Sequence, residues 1–139
     1  RSCQCGWGLR PGTALGQMLR EVARLIRADV GLEVAEVDLD GWTTHQYQGN
    51  YQGGGGGGQF ANLARELSDA MNAFATDLAD RMDDVLVMTM SDFGRALNSN
   101  GIGRDHGCGA HQLVMGGAAR GGAPTSASAT TLPFTLASP

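Results

Sequence analysis

The chain predicts an α/β fold, a small and mainly parallel sheet flanked by helices. Three observations carry that expectation. Two long segments repeat apolar residues at helical spacing, and two short Val- and Leu-rich runs have the length of strands. The pieces alternate as helix, strand, helix, strand, the order that builds a parallel sheet through crossover helices. At 139 residues the chain has room for one domain with a core of its own.

The first helix is predicted from Thr13. Leu15, Met18, Leu19, Val22, Leu25 and Ile26 share one face, while Arg20, Glu21, Arg24 and Arg27 fall on the other. Thr13 is the natural N-cap and Gly31 the natural stop. The first strand is predicted over Leu32 to Leu39, closing on Asp38 and Asp40. A long loop follows, with a glycine-rich stretch over 49–59 that contains the run Gly53 to Gly58. Such a tract has no side chains to pack and pays the largest backbone entropy on ordering, so it reads as a mobile, low-complexity insertion.

The second helix is the clearest element. Phe60, Leu63, Ala64, Leu67, Met71, Phe74, Leu78 and Met82 trace one stripe at a 3.6-residue period. The apolar run Val85 to Met90 is continuous rather than alternating, which predicts a strand covered on both faces. Strand, helix and strand then form a right-handed βαβ unit, and Leu113 to Met115 adds a third short strand. The organisation expected is therefore coil over 1–12, one domain over 13–122 and a disordered tail over 123–139.

Composition narrows the function classes. The net charge is −4, there is no Lys, and the arginines are scattered, which excludes a sequence-independent grip on nucleic acid. No apolar run approaches the roughly 20 residues of a membrane-spanning helix. No basic stretch followed by an apolar one opens the chain, so a secretory leader is not expected. Cys3, Cys5 and Cys108 are odd in number, and the C-x-C spacing is too short for a zinc half-site, so free thiols are expected.

The chemistry-bearing residues cluster after the predicted strands, where open α/β sheets place their ligands. Asp38, Asp40, Thr43, Thr44 and His45 follow the first strand. Ser91, Asp92 and Arg95 follow the second, and Asn98, Asn100, Asp105, His106 and His111 lie beyond it. Asp and His are ligands for Zn²⁺, or for a mixed site with Mn²⁺ or Mg²⁺ when carboxylates predominate. Such a cation polarises a scissile oxygen and activates a nucleophile. The adjacent Asp105 and His106 supply two ligands, or one ligand and its orienting partner, and the planar fork of Arg95 suits an anionic oxygen cluster. Each residue also has a plainer reading. Asp40 suits a turn or cap, Ser91 a turn, His111 a solvated loop, and Asn98 and Asn100 ordinary loop positions.

Four segments in this order resemble a known family. They are GWTTHQ (Gly41 to Gln46), AFATDL (Ala73 to Leu78), VMTMSDFGR (Val87 to Arg95) and DHG (Asp105 to Gly107) with LVMGGAARGG (Leu113 to Gly122). The resemblance is to domain-of-unknown-function family 1501, grouped with the alkaline phosphatase-like and sulfatase-like enzymes, and spans about Thr13 to Gly122. It implies a partial alkaline-phosphatase-like domain, the C-terminal half of a hydrolase of phosphate- or sulfate-type esters. It also implies a divalent metal (Zn, Mn or Mg) held by His45, Asp92, Asp105 and His106, with Arg95 beside it. The chain departs from the family at Thr43, where an acid is usual and Asp40 would have to substitute, and at Asp92, where Glu is commoner. The superfamily draws its nucleophile from an N-terminal half with no counterpart here. The resemblance thus implies a small anionic ester as substrate, export to the periplasm, and completion by a longer parent, a partner or self-association. The alternative is a domain that keeps its fold without turnover.

Overall fold

The computed structural model describes residues 13–49, 57–117 and 119. The coil expected over 1–12, most of the glycine run and the tail over 123–139 lie outside those residues. Helix α1 spans Ala14–Ala28 and helix α2 spans Gln59–Leu78, followed by a 3₁₀ segment at Ala79–Asp84. The strands are β1 (Leu86–Met88), β2 (Gly94–Arg95), β3 (His106–Gly107) and β4 (Val114–Gly116).

Helix α1 begins as its sequence dictates. The Thr13 hydroxyl accepts the Gly16 amide at 3.2 Å, satisfying one of the donors left open at a helix start. It stops two residues before Gly31, because Asp29 itself takes the left-handed conformation that ends the helix. Helix α2 is shorter than its stripe predicts. Ala79 turns to positive φ, and the 3₁₀ segment carries Met82 back to the core.

These two helices make the core. Leu15, Leu19 and Ala23 of α1 meet Ala70, Phe74 and Leu78 of α2, all buried. Ala23 and Ala70 have little side chain between the helices, while Phe74 and the leucines fill the seam. Each large apolar side chain buried this way contributes about 1.5–3 kcal/mol before entropy is counted. Val22, Ile26 and Leu67 extend the seam, and Arg27 clasps the carboxylate of Asp77 across it. Among the described residues no helix is long and apolar enough to cross a membrane.

The predicted parallel sheet is not formed. The strands lie in two separate two-stranded antiparallel pairs, β1 with β4 and β2 with β3. Three physical reasons account for the difference. Among the described residues, 32–39 have no ladder partner, so no first strand and no βαβ unit are formed there, although Val37 and Leu39 still pack on the core. The continuous run at 85–90 is covered on one face only. Val85 and Val87 turn inward, while Leu86, Met88 and Met90 remain 45%, 52% and 72% exposed. Finally, the chain between β1 and β4 travels out and back through β2 and β3 with no crossover helix, so it returns reversed. The third strand falls where the sequence placed it, displaced by one residue and in the opposite sense.

Candidate functional site

Two loops converge beside the N-terminal end of α2. The first, 41–49, is fastened to that helix: the Trp42 ring meets Phe60 edge to face with centroids 5.7 Å apart. Gln59 donates its side-chain amide to the Gly41 carbonyl at 2.9 Å, and the Gln59 and Phe60 amides reach the Tyr47 and Gln48 carbonyls. A tight turn at Trp42 buries Thr44 completely and presents His45 to solvent.

The second loop, between β2 and β3, is folded by its own side chains. Asn100 accepts the Ile102 and Gly103 amides at 3.2 and 2.7 Å, while Ser99 donates to the Gly103 carbonyl and accepts the Gly101 amide. These are the local side-chain turns that Asn and Ser favour. Gly103 then presses against the first loop, where a Cβ would stand 2.2 Å from the His45 carbonyl oxygen. Only glycine permits that approach. The two loops are locked by backbone contact as well as by side chains.

At their junction His45 Nδ1 lies 2.8 Å from the Asp105 carboxylate, and Asn100 donates to the same carboxylate oxygen at 3.0 Å. The His45 hydrogen bond, followed by that of Asn100, holds the Asp105 carboxyl below its ordinary range. An ionised carboxylate only accepts, so His45 carries its proton on Nδ1 and keeps the Nε2 lone pair unprotonated in the neutral ring. The His106 ring sits 4.7 Å from His45 and stacks on Phe93 at 4.4 Å, the two planes nearly parallel. Both members of the His45–Asp105 pair are accessible, with 43% of the His45 side chain and 62% of Asp105 exposed.

Arg95 is placed differently from an anion clamp. Its guanidinium donates to the carbonyls of Arg104 and Trp42 and lies over the Phe93 ring at 5.0 Å. It ties both loops to β2. Ser91 closes the expected turn on Phe93, donating to its carbonyl and receiving its amide. Asp40, Asp92 and His111 are exposed and take no part in the hydrogen-bonded cluster. Among the described residues Cys108 is a free, exposed thiol.

A family model described as "Protein of unknown function (DUF1501)" matches residues 12–131. The chain belongs to that family. No curated protein and no solved structure matches it.

The geometry of this DUF1501 chain tests the metal that the resemblance implies. Among the described residues no three His, Cys, Asp or Glu side chains stand together to hold a metal ion. His45 and His106 offer imidazoles side by side, but one nitrogen of His45 and one oxygen of Asp105 are spent on each other. The donor chemistry is suitable and the donor number falls short, so this set does not fit a metal centre by itself. Sequence reasoning grouped His45, Asp105 and His106 together with Asp92 and Asp40, passed over Phe93, and read Asn100 as an ordinary loop position. Phe93 carries the His106 stack, and Asn100 fastens Asp105. The place of Phe93 within the SDFGR segment and the Asn-x-x-Gly turn pattern were their only signals.

Proposed function

We propose that this chain carries part of the active site of a hydrolase for small phosphate- or sulfate-type esters. One observation carries the reading: an accessible histidine, His45, oriented through Nδ1 by an ionised carboxylate, with a second imidazole alongside. Such a pair suits general acid–base work, since the carboxylate selects the tautomer and stabilises the imidazolium that forms. Water held against His45 Nε2 gives that nitrogen a proton as its oxygen attacks phosphorus or sulfur. The ester bond to the alcohol oxygen breaks, and the departing oxygen takes the proton back. The resemblance of the GWTTHQ, SDFGR and DHG segments to family 1501, grouped with the alkaline phosphatase-like enzymes, supports this substrate class. The proposal extends to a divalent cation (Zn²⁺, Mn²⁺ or Mg²⁺) only with ligands added to those in the cluster, and no step above depends on it.

The experiment is a panel of aryl phosphate and aryl sulfate esters with the wild-type chain and His45→Gln, each also analysed for bound divalent metal. Loss of turnover by about 100-fold or more in the variant is expected of a general base. Equal rates in both proteins would sink the assignment. Metal that stays at background in the wild type removes the cation from the proposal.

A second reading, a domain that keeps its fold without turnover, is favoured by a specific observation. Two donor groups of Arg95 are committed to backbone carbonyls, and Asp40 and Asp92 stand outside the cluster. A wild-type chain inert toward the whole panel selects this reading.

A further inference from the structure

We infer that Asn100 is the positioning residue of the proposed site, holding the Asp105 carboxylate against His45 while joining the two loops that carry them. The inference rests on the functional reading above for its meaning and on the geometry alone for its substance.

The side chain of Asn100 spends each of its groups. Its Nδ2 donates to the Asp105 carboxylate at 3.0 Å and to the His45 carbonyl at 3.1 Å. Its Oδ1 accepts two amides of its own loop, those of Ile102 and Gly103. One planar amide therefore sets the curvature of loop 99–105, grips the backbone of His45, and fixes the carboxylate that fixes the imidazole. An exposed carboxylate free of such a donor samples several rotamers, and only one of them meets Nδ1. Asp and Gln do not substitute. Asp replaces the Nδ2 donor with an oxygen facing two other oxygens, and Gln is one methylene too long for the turn. Asn100 touches no reacting atom. It acts through Asp105 and His45.

The test is the imidazole Nδ1 proton of His45, followed by NMR in the ¹⁵N-labelled full chain, with no substrate present. In the wild type this proton should be shifted downfield and protected from exchange with water. Asn100→Asp keeps the acceptor for the Ile102 and Gly103 amides, and so keeps the turn. It should speed Nδ1–H exchange at least tenfold, as Asp105→Asn does, with an unchanged helical circular dichroism spectrum. An exchange rate within twofold of wild type in Asn100→Asp overturns the inference. If that variant does not fold, Asn100→Ser is read in its place. Its hydroxyl can hold the turn amide but is too short to reach Asp105, and the same criterion applies. Ester turnover is scored separately. A chain that hydrolyses nothing while its Nδ1–H responds loses the hydrolase reading and retains Asn100 as the positioning residue. An active chain whose Nδ1–H does not respond keeps the hydrolase reading and loses Asn100 from that role.

Discussion

Phe74, midway along the helical seam, is 4% exposed and touched by apolar side chains from both helices, whereas 43% of the His45 side chain faces water. The first is held by area removed from solvent, the second by directional hydrogen bonds, its ring to the Asp105 carboxylate and its own carbonyl from the Asn100 amide. The seam follows from a repeat legible over twenty residues. The loop cluster depends on residues 45, 93, 100 and 105 arriving together, and no period joins them. A region made of many small equal contributions tolerates small changes. A region made of a few directional contacts does not.

The largest effect that would separate these regions is Phe74→Ala. Truncating a fully buried aromatic costs about 3–5 kcal/mol, and the urea midpoint should drop accordingly. A change within experimental scatter would show that the seam is not the core. Gly103→Ala addresses the loops instead. Its new Cβ would stand 2.2 Å from the His45 carbonyl oxygen, and forced repacking of that kind costs about 1–3 kcal/mol. Helical circular dichroism should survive while the Nδ1–H protection of His45 is lost. If both vanish together, the two regions fold as one unit. Thr13→Ala removes the cap of α1 and should cost about 1 kcal/mol in denaturant unfolding, with no change at His45.

The smallest effect expected is that of acid. Asp105 titrates below its ordinary value because His45 and then Asn100 hydrogen-bond its charged form. A depressed folded value means that its contribution is complete above the ordinary carboxylate range and is lost as pH falls through the lowered value. The carboxyl carbon shift of Asp105 should therefore titrate with a midpoint below 3.8, and Asn100→Asp should move that midpoint upward. A wild-type midpoint at or above 3.8 would mean the pair does not persist in solution. Because Asp105 is exposed, global stability should barely register the change.

The sequence by itself determined both helices, the Thr13 cap and the buried stripe, because helical periodicity and capping are local and repeat every few residues. It also singled out His45, Asp105 and His106, since imidazoles are few and their loops are polar, but with them Asp40 and Asp92, which the fold leaves outside the cluster. Tertiary structure alone decided strand pairing. Continuous hydrophobicity at 85–90 is compatible with a strand buried on both faces or on one. Residues 32–39 have strand composition but, among the described residues, no neighbour to complete a ladder. It also decided which carboxylate meets His45: Asp105, sixty residues away, rather than Asp40, five residues before it. Hydrogen bonds act over about 3 Å of space and are indifferent to distance along the chain.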